Sequence, residues 1–303
     1  MIRAGLAVVA VSLGPWALGL GPAASSLRPE AWGLTQQAPA VFRTRTDVVS
    51  VDVAVTRGRT PVTGLTAADF VLLDNGVRQK VEAVSVETLA IDVSLVVDLS
   101  GSTASTLERF KADITRMAGF LRPTDRVRLV RFSDEVRQVV PMQPSTAPLP
   151  LDDLKTGQGT SLNDAVFVAL ARPPEVDRRH LVVVFTDAED TWSTIDNTSL
   201  PVIAARADAV LQVVLSTYDR VTDPSVLTSR ESLKRAAAAT GGDVRYLREA
   251  VNAFRLVLDE FRTSYVLRYT PEGVKKEGWH ELDVRVTKPG AVTIRARKGY
   301  FGG

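Results

Sequence analysis

Two almost unbroken apolar runs of this chain each finish in an aspartate, LVVDLSGS at Asp98 and VVVFTD at Asp187. Between them, GQGTSLNDA sets Thr160 in a glycine-containing loop just ahead of a helix-forming stretch. One carboxylate at a strand end can simply cap the next helix. Two carboxylates together with Ser100, Ser102 and Thr160 make an all-oxygen donor set without nitrogen or sulfur, which is the chemistry of a hard divalent cation. In Asp98-Leu99-Ser100-Gly101-Ser102, alternate residues of a turn can aim their oxygens at one centre. Ligands of open α/β sheets bind at the carboxyl ends of the strands, so the position suits the chemistry.

The elements that must hold these residues follow from periodicity. IDVSLVVDLS has the pattern of a strand covered on both faces. After it, Ser105-Thr106-Leu107-Glu108 forms a capping-box signal, and Leu107, Phe110, Ile114, Met117 and Leu121 recur at helical spacing until Pro123. RVRLVRFS reads as a strand with EVRQVVPM as its hairpin partner, SLNDAVFVALA as a helix and HLVVVFTD as another core strand. Val202 to Ala209 reads as a helix, AVLQVVLST as a strand, SLKRAAAATGG as a helix closed by glycine, and DVRYL as a short strand. A last helix follows around Val251–Phe261. Strands alternating with helices imply an α/β fold, a doubly wound and mainly parallel sheet flanked on both faces.

On either side the rhythm changes to strict alternation. VVSVDVAVTRGRTPVTGL gives a period-two strand, an Arg-Gly-Arg turn and a second extended piece. Asp74-Asn75-Gly76 is a hairpin signal ahead of VRQKVEAVSV. Beyond the last helix, SYVLRYTP, WHELDVRVT and AVTIRARKGYF read as three strands. Residues 41–90 are too few to close a sandwich unaided. The expectation is that they and 251–303 form one all-β, sandwich-like module, with an α/β domain at 91–250 inserted between them. Two separate β appendages are the alternative. Tyr265, Tyr269 and Tyr300 read as sandwich core or edge.

Composition narrows the function. The 303 residues are 45% apolar and 24% charged with a net charge of +2, the profile of a globular protein. No basic stripe with interleaved aromatics occurs, which argues against nucleic acid as a partner. There is no cysteine, which removes disulfides, thiol nucleophiles and thiolate metal sites. The two histidines, His180 and His280, are too few for a histidine cluster. At the amino terminus, Arg3 precedes an apolar stretch and then small residues around Pro22-Ala23-Ala24-Ser25, the layout of a secretory signal peptide over residues 1–24. A linker at 25–40 follows, and the remainder is expected to be secreted or periplasmic. Retention of the segment as a membrane anchor is the alternative, but Gly14, Pro15, Gly19, Gly21 and Pro22 make it a poor continuous helix.

Asp98-Leu99-Ser100-Gly101-Ser102, Thr160 in Gly-Thr-Ser-Leu-Asn-Asp-Ala and Asp187 in Phe-Thr-Asp resemble, in order and spacing, the metal-ion-dependent adhesion site of the von Willebrand factor type A family. Asp-x-Ser-x-Ser alone is a weak pattern; all three pieces over residues 91–250 are a specific one. The flanks Asp47–Glu82 and RARKGYF look like those of secreted bacterial members of that group. The resemblance implies that Ser100, Ser102 and Thr160 supply hydroxyl oxygens to Mg²⁺, with Mn²⁺ or Ca²⁺ as other oxygen-seeking occupants. Asp98 and Asp187 would act directly or through water. It also implies a non-enzymatic protein-binding role in which an Asp or Glu carboxylate of a partner completes the ion's coordination. Glu189, Asp190 and Trp192 on one side, and Gln158, Asn163 and Thr103 opposite, are the candidate rim. One departure is Ala188, where the family often has glycine.

Three rival readings are weaker. A phosphohydrolase with a nucleophilic aspartate needs a second acid two residues on, and Ser100 stands there. A serine hydrolase needs a histidine near Ser100 or Ser102, whereas His180 opens a core strand at the opposite end from Asp98. LSGSTAST is neither a P-loop nor a dinucleotide fingerprint. A metal-free interaction scaffold is the remaining alternative.

Overall fold

The computed structural model describes residues 48–303 apart from 87–88, 102–106, 153, 174, 176, 217–220, 247–248 and 289, all within the unit Thr46–Gly303. The signal peptide and linker expected at 1–40 lie outside the described residues, as do Ser102, Thr103 and the capping-box residues Ser105 and Thr106.

The chain opens with β1 (Val49–Arg57), β2 (Thr60–Pro61), β3 (Phe70–Asp74), β4 (Val77–Gln79) and β5 (Ala83–Val86). The α/β part runs β6 (Ala90–Asp98), α1 (Leu107–Ala118), β7 (Arg126–Phe132), β8 (Val136–Pro144), α2 (Leu162–Leu170), β9 (Arg178–Thr186), α3 (Ser199–Arg206), β10 (Val210–Leu215), α4 (Pro224–Ala239), β11 (Asp243–Tyr246) and α5 (Ala250–Thr263). Four strands follow: β12 (Tyr265–Tyr269), β13 (Gly278–Val286), β14 (Thr293–Ala296) and β15 (Gly299–Gly302).

The central sheet has the order β11-β10-β9-β6-β7-β8, with only the β7–β8 hairpin antiparallel. Its strands are apolar on both faces because both are covered. Ile91, Val93, Leu95 and Val97 of β6 face Ile114 and Met117 of α1 and Phe254, Val257 and Phe261 of α5. Val96, Val130 and Val184 face Leu162 and Val166 of α2, Leu200 of α3 and Leu233 of α4. Each such side chain contributes about 1.5–3 kcal/mol of burial, which fixes β6 and β9 side by side. The register pairs Val97 with Phe185 and Asp98 with Phe132, so both aspartate-bearing strand ends emerge at one edge.

The strands before and after this unit share sheets. β1 pairs with β12 (Val51 with Leu267) and with β14, and β3 pairs with β13 (Val284 with Leu72). Sheets β14-β1-β12-β5, carrying β2 on β1, and β15-β13-β3-β4 enclose a core of Val51, Val53, Phe70, Leu72, Leu267 and Leu282. The α/β unit is therefore inserted in a two-sheet β module. Tyr265, Tyr269 and Tyr300 lie in that core. The β3–β4 turn places Asn75 and Gly76 at φ 47° and 79°, the left-handed pair a two-residue hairpin requires.

Several boundaries differ from the sequence reading. α1 stops at Ala118, and the stretch to Leu121 is a tighter turn in which Phe120 and Leu121 donate to Met117 and Ala118. α3 starts at Ser199 and ends at Arg206, because the Asp196 carboxylate collects Thr198 and Ser199 ahead of it. α4 begins at Pro224 with Asp223 as N-cap accepting from Ser225, so SLKRAAAA is only its second half. Gly241, at φ 83°, closes it. AVTIRARKGYF holds two strands, since β14 joins β1 while β15 joins β13. α5 packs into the α/β core, so the carboxyl-terminal β part begins at Tyr265 and not at residue 251.

Candidate functional site

Asp98 is the last residue of β6, and burial leaves it 6% exposed. Its Oδ1 accepts the Ser100 N–H at 3.0 Å, and its Oδ2 accepts the Thr186 hydroxyl at 2.9 Å. That local Asx turn points Ser100 back toward the carboxylate. Burial pushes the Asp98 carboxyl up to about 6; hydrogen bonds from Ser100 and Thr186 oppose the shift, and the negative charge of Asp187 adds to it. Asp98 and Asp187 are thus close enough to repel.

Thr160 arrives from a second loop. Gly157 donates to the Leu99 carbonyl at 3.0 Å, tying this loop to the first. A Cβ on Gly157 would stand 2.0 Å from Asp134 Oδ1, so only glycine fits there. Ser161 donates to the Ser133 carbonyl at 2.7 Å, and the Thr160 side chain is buried. The third loop closes on Thr160. Thr191 and Trp192 donate to its carbonyl at 2.9 and 3.0 Å, and its N–H donates to Thr191 Oγ1 at 3.1 Å.

Asp187 follows β9, half-buried, with Oδ1 accepting the Glu189 N–H at 3.0 Å. Ala188 sits between them at φ 74° and is fully buried. The left-handed backbone there explains why glycine suits the position; an alanine carries roughly 1–2 kcal/mol of strain. The Ala188 N–H donates to Thr186 Oγ1 at 3.0 Å, so Thr186 links Asp98 to the loop that carries Asp187.

The structure thus gathers Asp98, Ser100, Thr160 and Asp187 at one sheet edge on three interlocked loops; Ser102 lies outside the described residues. Among the described residues no three His, Cys, Asp or Glu side chains form a metal-binding group. The hydroxyls must therefore supply much of any cation site here, and an all-oxygen set of two carboxylates plus hydroxyls fits Mg²⁺.

The rim splits in two. Gln158, Glu189 and Trp192 are exposed, Trp192 at 64%, and its indole lies where any Cβ on Gly159 would meet it at 2.6 Å. Asn163 points inward instead. It is 1% exposed, and its amide donates to the Ile195 carbonyl and to Asn197 Oδ1 at 3.0 and 3.1 Å. Asp190 is half-buried against the start of α2, held by Ser193 and by the N–H groups of Asn163 and Leu162. Both are scaffold, because a short loop closing over a helix N-terminus needs its polar groups for itself. Sequence reasoning missed Thr186 and Thr191. It also missed Asp164, whose carboxylate accepts from Thr194 and Ile195. For Thr186, its place immediately before Asp187 was the available signal.

Residues 93–189 match the family model for the von Willebrand factor type A domain. Among solved structures, the chain is similar to an aerotolerance-related membrane protein from Bacteroides fragilis, at 16% identity over 57% of this chain and 98% of that one, with a TM-score of 0.44. It is also similar to a von Willebrand factor type A protein from Catenulispora acidiphila, at 11% identity over 86% and 76%, with a TM-score of 0.47. A third similarity is to proximal thread matrix protein 1 from the mussel byssus with a zinc-occupied adhesion motif, at 11% identity over 62% and 49%, with a TM-score of 0.46. No curated protein matches. Among the described residues no helix is long and apolar enough to cross a membrane.

Proposed function

Residues 93–189 being a von Willebrand factor type A domain, we propose that the chain is an exported, non-enzymatic protein-binding module built on a metal-ion-dependent adhesion site. Domains of this family serve protein interaction. Asp98, Ser100, Ser102, Thr160 and Asp187 would hold Mg²⁺ or a similar ion. When bound, the ion supplies residual positive charge, because the hydroxyls are neutral and only two carboxylates offset it. A carboxylate of the partner protein is the ligand that charge favours.

The chain's own residues prepare that event. Thr186 and the Ser100 N–H orient Asp98. Thr191 ties the Thr160 loop to the Asp187 loop. Gln158, Glu189 and Trp192, which are exposed, would read the partner's surroundings. The observation that carries the reading is the knitting of three loops, each bearing oxygen donors, around the end of β6. Export rests on the sequence of residues 1–24 and not on the fold.

The test is a pull-down of exported proteins on the purified chain, with Mg²⁺, with EDTA, and with Asp98→Ala. A partner retained only by the wild type in Mg²⁺ is the expected result. Equal retention in all three arms would leave a metal-free scaffold as the better reading.

A further inference from the structure

A buried arginine without a carboxylate partner lies toward the other end of the sheet. Arg128 of β7 pairs in register with Ser94, about 13 Å down the strand from Asp98 at 3.3 Å per residue. Its side chain is 6% exposed. Nε donates to Ser94 Oγ at 3.1 Å and Nη2 to the Ala169 carbonyl at 2.8 Å. No carboxylate among the described residues pairs with it, although the neighbouring arginines 126, 172 and 178 all pair with Asp92. Burial and the charge of Arg172 both press its pKa down, yet an arginine keeps its charge. A buried, uncompensated guanidinium is expensive and calls for a counterion.

Arg128 lines an open groove of about 420 Å³ between β8 and α2, within the size range of small-molecule sites. Arg172, Met142, Phe167, Val168 and Pro173 line it as well. Phe167 and Val168 are 39% and 37% exposed, high for apolar residues on a helix that also supplies core. With Nε and Nη2 committed, Arg128 offers one remaining terminal nitrogen, which suits a single carboxylate better than a phosphate dianion that wants several donors.

We infer that this groove binds a small amphipathic carboxylate, its acid group on Arg128 and its apolar body between Met142, Phe167 and Val168. The site is separate from the proposed metal centre and needs no metal.

Calorimetric titration of the full chain in EDTA with 4-phenylbutyrate, and with 4-phenylbutanamide as its uncharged counterpart, tests this. Saturable binding of the acid is expected, with the amide at least ~10-fold weaker, the ratio that loss of one charge-assisted contact of ~1.4 kcal/mol produces. Phe167→Asp should weaken the acid by ~10-fold or more at unchanged Tm, since it adds a like charge at a half-exposed wall. Arg128→Met should abolish binding while the free protein melts no lower than wild type, because a buried unpaired charge has gone. Asp98→Ala should bind as wild type. Absence of saturable binding at ~5 mM, equal binding of acid and amide, or wild-type binding by Phe167→Asp would overturn the inference.

Discussion

Asp92 and Asp98 lie on the same strand, β6, both buried, and they meet opposite surroundings. Asp92, at the amino end, is 1% exposed and contacts Arg126, Arg172 and Arg178 at 2.5, 2.9 and 2.5 Å. Burial alone would raise its pKa, but the hydrogen bonds and charges of Arg126 and Arg178 outweigh it and hold the carboxyl below its usual range. Asp98, at the carboxyl end, is pushed up to about 6 by burial, with the repulsion of Asp187 adding to it and only hydroxyl and backbone hydrogen bonds from Ser100 and Thr186 opposing it. The same side chain, buried at both ends, is neutralised by arginines at one and has no cationic side-chain partner among the described residues at the other. A fold closes its charges where they only hold strands together. On the proposed reading, it leaves them open where a ligand is to supply the missing charge.

Three substitutions probe that contrast, in decreasing order of effect. Asp92→Asn removes the buried carboxylate that Arg126, Arg172 and Arg178 share, leaving Arg126 and Arg172 only the more exposed Glu175, and breaking a buried ion cluster on one side costs about 3–5 kcal/mol. Urea unfolding should show a lower midpoint with unchanged slope, and a loss below about 1 kcal/mol would mean that the cluster is mere surface decoration. His180, bonded to Ser94 at 2.9 Å beside that cluster, comes next. Burial and the charges of Arg128 and Arg172 hold its pKa down at about 4, against 6.5 unperturbed. The folded state therefore binds fewer protons than the unfolded one between these values. Stability is complete above pH 6.5 and declines as pH falls through about 4, by up to about 3 kcal/mol. Unfolding free energies measured from pH 7 to 4 should lose that share of their slope in His180→Gln; an identical slope would rule His180 out as its source. Ala188→Gly, in the Asp187 loop, should change little. Relief of the left-handed backbone and loss of a buried methyl group oppose each other to within about 0.5 kcal/mol. A larger change in melting temperature, of either sign, would show that one of the two dominates.

Much of this was legible because the core strands are apolar on both faces and end abruptly. Asp98 and Asp187 stand out where hydrophobic sequence stops, and Thr160 stands out in its glycine loop. The partners were harder to read. Thr186 looks like one more strand residue until its hydroxyl is seen between Asp98 and Ala188. Asn163 and Asp190 look like solvent-facing loop polar groups, yet Asn163 turns in to Ile195 and Asn197, and Asp190 to Ser193 and the N–H groups at the start of α2. Helix starts were misplaced at Ser199 and Pro224 because local caps, Asp196 and Asp223, extended helices beyond their apolar stripes. The split of AVTIRARKGYF into β14 and β15 depends on partners far away in sequence, which no local pattern encodes. Arg128 gives no sequence signal, since its lack of a carboxylate partner is a property of packing alone.

The most direct test of the proposed metal centre is thermal melting of the purified chain in EDTA and in millimolar Mg²⁺, beside Asp98→Ala. A cation that binds only the folded state raises its stability by about 1–3 kcal/mol at 10–100 times its dissociation constant. The expected result is a clear rise in Tm for the wild type and none for the variant. A wild type that melts identically with and without Mg²⁺ or Mn²⁺, or a variant that gains as much as the wild type, would contradict it.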